Sequence, residues 1–151
     1  MSKPLEAASE LERCVRKHGF VGALVDNHVH GQFYNDERFW PIFEKAQGLD
    51  VAIYIHPSFA SDIMLEHYKG NYDDKVALAL SAFGWGWHSE TVLHILRLFA
   101  SGLFDLFPRL KILIGHMGEL LPFQLDRCIV ASERWGRKDR GLREVWRNNI
   151  W

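Results

Sequence analysis

The side chains best able to do chemistry cluster in residues 111–119 of this 151-residue chain. Ile112, Leu113 and Ile114 form a short apolar run. Gly115, His116, Met117, Gly118 and Glu119 follow, and then an apolar helical pattern begins. Such a run reads as a buried parallel strand with a helix starting just past it. A histidine at the carboxyl end of that strand lies where α/β folds hold their ligands. Glu119, near the first helical turn, is spaced to hold the His116 imidazole. The pair would then act as a general base or a hydrogen-bond donor backed by a carboxylate. Gly115 and Gly118 allow backbone or ligand to approach closely. The blander alternative for His116 and Glu119 is a capped helix start with a solvated glutamate.

A second stretch has the same design. The apolar run 51–55 ends in His56-Pro57. Neutral imidazole is the commonest metal ligand, and Pro57 stiffens the turn leaving the strand. The alternative for His56 is a buried ring bonded to a carbonyl. Two strands that each deliver one histidine to the same rim make half of a metal or acid–base site, because a divalent ion takes three or more ligands.

Asp26-Asn27-His28-Val29-His30 offers another pair. Residues two apart on an extended strand face the same side, so His28 and His30 form a credible metal clamp; the alternative is a polar, histidine-rich loop. His88, within Trp85-Gly86-Trp87-His88-Ser89-Glu90, reads chiefly as aromatic packing at a helix start, with a pocket-lining role as the alternative. His94 lies beside an apolar stripe and reads as structural. His18 and His67 read as surface residues.

The elements that must position these groups follow from periodicity. Helices are expected over 4–17, 37–47, 74–82, from a Ser89 N-cap to about 103, over 120–134 and over 142–148. Strands are expected over 20–25, 51–55 and 112–114, with a stub at 150–151. Residues 26–35 read as a polar loop, 57–73 as a long irregular stretch with a short helix near 62–68, and 136–140 as a basic turn. This alternation is α/β with parallel pairing. No glycine-rich phosphate loop accompanies it. A (β/α)8 barrel needs eight strands. The pattern therefore describes either a small open sheet or a section of a larger barrel.

Composition bounds the function classes. A net charge of −1 gives no electrostatic footprint for nucleic acid or an anionic membrane. No apolar run reaches the roughly 20 residues that span a bilayer. Met1-Ser2-Lys3-Pro4 leads into a polar helix and not an apolar signal core. Cys14 and Cys128 are distant from each other, without metal-type spacing, and read as reduced thiols of a cytoplasmic protein. A single domain over 1–151 is expected.

Several stretches together resemble the amidohydrolase-related family, in particular its metal-dependent nonoxidative decarboxylases. They are Gly22-Ala23-Leu24-Val25, Phe39-Trp40-Pro41-Ile42-Phe43-Glu44, Leu49-Asp50-Val51 with Tyr54-Ile55-His56-Pro57, Trp85-Gly86-Trp87, Leu96-Arg97-Leu98 with Ser101-Gly102-Leu103-Phe104-Asp105, and Ile114-Gly115-His116-Met117-Gly118-Glu119-Leu120-Leu121-Pro122. The resemblance runs nearly end to end. It implies a partial (β/α)8 TIM barrel, strands four to six with their helices and the start of strand seven, truncated at both ends. His56 then matches a metal-ligand histidine, His116 a catalytic histidine and Glu119 its supporting carboxylate.

The resemblance further implies a divalent ion, Zn, Mn or Mg, whose ligand set is incomplete in this chain. The ligand pair on the family's first strand, an acid or His followed two residues on by His, and its eighth-strand aspartate are not expected among these residues. His28 and His30 fall after the fourth strand, in a variable rim loop, so they do not fit as the missing clamp. The implied reaction is decarboxylation of a hydroxybenzoate-like or muconate-like carboxylic acid. The chain alone is expected to be poorly stable and inactive. Hydrolysis of an amide or lactone is the superfamily alternative. A non-catalytic truncated paralogue docking on a full-length relative is another, with homo-oligomerisation also open.

Overall fold

The computed structural model describes residues 1–135 and 139–151. The basic turn expected over 136–140 lies, at 136–138, outside the described residues. Local signals set most element boundaries. Helix α1, Pro4–His18, starts with proline in its first turn and ends at Gly19, whose φ of 70° is the left-handed conformation of a helix terminator. Strand β1, Gly22–Asp26, follows. A single 3-10 turn capped by the Asp36 side chain leads into α2, Trp40–Leu49, with Pro41 in its first turn. Strand β2 is Ala52–His56.

The stretch after β2 carries a short helix α3, Asp62–Glu66, and then α4, Asp74–Ala79, which the Asp73 side chain caps by accepting from the Lys75 N–H. Helix α5, Gly86–Ala100, begins three residues before the expected Ser89 cap. Gly86 is the reason: a Cβ there would meet the Ser81 carbonyl oxygen at 2.1 Å, so only glycine lets the helix start this close to the preceding turn. The Ser89 hydroxyl instead donates back to the Gly86 carbonyl at 3.1 Å. Short helix α6, Leu103–Leu106, strand β3, Lys111–Ile114, and helices α7, Leu121–Ser132, and α8, Leu142–Asn149, complete the order.

The three strands form one parallel sheet in the order β1-β2-β3. Gly22 pairs with Ala52 and Asp26 with His56, so Phe20 and Val21, expected in the strand, have no ladder partner and stay exposed. The register sorts side chains into two faces. Val25, Ile53, Ile55 and Ile112 point into a core shared with Phe43, Leu98, Phe104 and Leu121. Leu24, Tyr54 and Leu113 line up on the other face, which also bears His56; Leu24 there is 58% exposed. Parallel sheets are ordinarily covered on both faces, and here one apolar face is left open. At the β3 edge, the expected stub at 150–151 pairs in parallel through Ile112 and Ile150, and Ile114 N–H donates to the Trp151 carbonyl at 2.9 Å. Both cysteines are free thiols. Among the described residues no helix is long and apolar enough to cross a membrane.

Candidate active site

The carboxyl ends of β2 and β3 bring two histidines together. His56 is the last residue of β2. Its Nδ1 lies 2.8 Å from the Pro57 carbonyl oxygen, which can only accept. The proton therefore belongs on Nδ1, and Nε2 keeps a free lone pair. The His116 ring lies with its centroid 5.8 Å from that of His56, at an interplanar angle of 63°. The convergence expected from the two strand ends is thus present in the geometry.

The backbone after β3 is what turns His116 toward its carboxylate. His116, Met117 and Glu119 have φ of 47°, 62° and 57°, and Gly118 has 79°. Left-handed conformations cost about 1–2 kcal/mol per non-glycine residue, and such strain concentrates at sites where side-chain placement matters. The tight turn puts His116 Nδ1 2.8 Å from Glu119 Oε1. Gly115 serves a separate need. A Cβ there would meet the Tyr54 hydroxyl at 2.1 Å, so its absence lets Tyr54 fill the open sheet face below the histidines.

A third imidazole completes the cluster. His88, the third residue of α5, sets its Nδ1 2.5 Å from Glu119 Oε2 and its Nε2 3.1 Å from the Phe83 carbonyl. The Glu119 side chain is 0% exposed, while those of His88 and His116 are 29% and 38% exposed. A buried carboxylate is tolerable only when its oxygens are satisfied, and here each oxygen takes one imidazole N–H. Trp87 walls the cluster, with ring centroids 6.2 Å from His56 and 6.3 Å from His116, and Phe59 and Phe83 pack on Trp87. The sequence reading of His88 as aromatic packing missed its carboxylate. The only signal available was its place beside two tryptophans at a helix start.

The other histidines fall elsewhere. His28 and His30 do not form a clamp. Val29 and Gln32 exchange backbone hydrogen bonds of 3.0 and 2.9 Å across a two-residue turn, in which His30 and Gly31 have φ of 50° and 77°. That is a type I′ turn, so His30 sits exposed at its tip and the two rings share no strand face. His28 Nδ1 accepts from the Gly31 N–H at 3.2 Å, and burial pushes this histidine below its ordinary pKa.

His94 is fully buried. Its Nε2 accepts from the Tyr34 N–H at 3.1 Å and its Nδ1 donates to Asn27 Oδ1 at 3.0 Å. Burial first, then the charges of Arg97 and His28, push its pKa down to about 3. His18 and His67 are exposed, as read from the sequence. Among the described residues, no group of three or more His, Cys, Asp or Glu side chains is arranged to hold a metal ion.

Comparison with known proteins adds an independent observation. The family model described as Amidohydrolase matches residues 1–144. Decarboxylase orsB of Emericella nidulans is 48% identical over 154 residues, covering 100% of this chain and 46% of the relative. A gamma-resorcylate decarboxylase of Polaromonas sp. is 42% identical over 133 residues, covering 84% of this chain and 39% of the relative. The crystal structure of a dihydroxybenzoic acid decarboxylase from Polaromonas sp. JS666, with bound manganese and the inhibitor 2-nitroresorcinol, superposes with a TM-score of 0.84 at 36% identity. That match covers 100% of this chain and 47% of the other. The chain therefore spans less than half the length of these relatives.

Proposed function

Because this chain belongs to the amidohydrolase family, we propose that it supplies one section of a metal-dependent nonoxidative decarboxylase acting on hydroxybenzoate-like carboxylic acids. In this reading β1, β2 and β3 are the fourth to sixth strands of a (β/α)8 barrel, and residues 1–151 belong to a single domain. The observation that carries the reading is the meeting of His56 and His116 at 5.8 Å on the carboxyl ends of adjacent parallel strands, with His116 held by a buried carboxylate. Catalytic groups of such barrels gather at that end.

A divalent ion fits one part of this arrangement. His56 offers a neutral Nε2 whose opposite nitrogen is fixed by a backbone carbonyl, the usual support of a metal-ligating imidazole. One imidazole is not a site for a divalent ion, so the remaining ligands come, in this reading, from other strands of the barrel. The ion, manganese as in the Polaromonas structure or zinc or magnesium, would supply positive charge opposite the carboxylate and ring oxygen of the substrate.

The residues of this chain do the rest. His116 gives its Nδ1–H to Glu119 and keeps Nε2 for a proton of a substrate hydroxyl or of water. Trp87 with Phe59 and Phe83 forms an apolar wall against which a planar ring can lie.

The test is a chimera in which residues 1–151 replace the matched segment of decarboxylase orsB. Metal-dependent carbon dioxide release from a panel of hydroxybenzoates is expected from the chimera and not from the 151-residue chain alone. A folded, metal-loaded chimera that releases none would overturn the proposal, and so would turnover by the isolated chain with stoichiometric metal. The open apolar face of Leu24 and Leu113 favours a second reading, in which the chain associates with a full-length relative and contributes no chemistry. Copurification with such a relative whose activity is unchanged by His116→Ala in this chain would support that reading over the first.

A further inference from the structure

Glu119 connects two parts of the fold. His116 lies on its own turn, three residues away, while His88 comes from α5, 31 residues distant in sequence. The two imidazoles divide the carboxylate between them, His116 on Oε1 at 2.8 Å and His88 on Oε2 at 2.5 Å. The His88 ring has an acceptor at each nitrogen, Glu119 Oε2 at Nδ1 and the Phe83 carbonyl 3.1 Å from Nε2, and a neutral ring with its proton on Nδ1 donates to Glu119 alone. A carboxylate held at one oxygen can rotate about its terminal bond. Held at both, it presents Oε1 to His116 in one orientation.

We infer that His88 is a positioning residue, which clamps Glu119 so that His116 is kept as the Nδ1–H tautomer with Nε2 free for the substrate. The inference rests on the proposed role of His116 as the reacting imidazole. Remove the His88 donor, and Oε2 becomes a buried carboxylate oxygen without a partner. The carboxylate then turns toward whatever donor it can find, and the His116 ring loses the fixed acceptor that selected its tautomer. His88 touches no reacting atom in this scheme; it acts through Glu119 alone.

The experiment reads the tautomer directly and needs no turnover. The 151-residue protein is labelled with 15N-histidine, two-bond proton–nitrogen correlation spectra are recorded, and His116 is identified by its loss in His116→Asn. Wild type is expected to show His116 with a protonated Nδ1 and a bare Nε2, and protected Nδ1–H signals for both His88 and His116. In His88→Ala both His116 nitrogens shift toward exchange-averaged positions and its Nδ1–H loses protection. In His88→Asn, whose amide nitrogen occupies the place of Nδ1, the wild-type pattern returns.

An unchanged His116 spectrum in His88→Ala would overturn the inference, as would absence of a protected His88 Nδ1–H in wild type, a measurement that stands even if the alanine variant does not fold. Failure of the decarboxylase reading looks different: the chimera releases no carbon dioxide while the tautomer pattern and its dependence on His88 remain.

Discussion

Two histidine clusters of this protein sit within the same α/β layer and are built to opposite ends. At the mouth of the sheet, His56 and His116 each tie Nδ1 to an acceptor and leave Nε2 uncommitted, and the carboxylate that His116 shares with His88 is buried. In the core, His94 spends both nitrogens on neutral partners, a backbone N–H and an amide oxygen, and no solvent reaches it. The first arrangement can exchange a proton with an incoming molecule. The second holds β1's carboxyl end to α5 and works only while the ring is neutral, since a protonated Nε2 could not accept from Tyr34. Burial alone does not separate a working histidine from a structural one. The presence of a spare nitrogen does.

The sharpest way to break this contrast is at His116. In the chimera with decarboxylase orsB, His116→Ala is expected to lower kcat by roughly 10²–10⁴-fold, the usual worth of a positioned acid–base group. The thermal midpoint should fall as well, because the buried Glu119 carboxylate loses one of its two donors; His116→Asn, whose amide nitrogen takes the place of Nδ1, should lose kcat with little change in the midpoint. Steady-state carbon dioxide release and thermal unfolding check the two halves together. The mirror-image result is expected at His94. His94→Ala strands the Tyr34 N–H and the Asn27 side chain in the core and should cost about 3–5 kcal/mol of stability, read from urea unfolding.

The two clusters should also part in their response to acid. His94 titrates near 3 in the folded chain against 6.5 as its ordinary value, so between those values the unfolded state binds more protons. Its contribution is complete above about 6.5 and is lost as pH falls toward 3. Urea midpoints measured across that window should decline on acidification in wild type and decline less in His94→Gln.

Smaller effects test the supports of the mouth. Gly115→Ala forces a Cβ against the Tyr54 hydroxyl and should destabilise by about 1–3 kcal/mol. Tyr54→Phe should relieve part of that cost if the hydroxyl is the obstacle, which a double-mutant cycle measures. The least effect is expected at the turn tip. His30→Asn gives the type I′ turn its favoured Asn-Gly pair and should raise stability by up to about 1 kcal/mol without changing metal content in the chimera. Loss of metal in that variant would revive His30 as a ligand.

Much of this was legible beforehand because the signals are local. Apolar runs closed by Gly115 and by Pro57 marked the ends of β3 and β2, and amphipathic spacing with Gly19 marked α1. Motif order pointed to the family. His116 and Glu119 were legible as a pair because they lie three residues apart on one turn. The Ser89 cap was misread because the obstacle to an earlier helix start, the Ser81 carbonyl, is met only once the chain has folded against itself. The resemblance sets the His28 and His30 clamp aside by position, and the structure supplies the physical reason: alternation assumes an extended strand, while His30 and Gly31 adopt φ of 50° and 77° and reverse the chain.

The sequence by itself therefore determined the element order, the parallel α/β layering and the two strand-end histidines, since hydrophobic period, turn residues and short spacings are properties of neighbouring residues. Only the tertiary structure decided that His88 shares the Glu119 carboxylate and that His94 is locked neutral in the core. Both depend on which distant segment supplies the partner atom, and hydrogen bonds of 2.5–3.1 Å between α5 and the loops that follow β1 and β3 exist only after the helices have packed on the sheet.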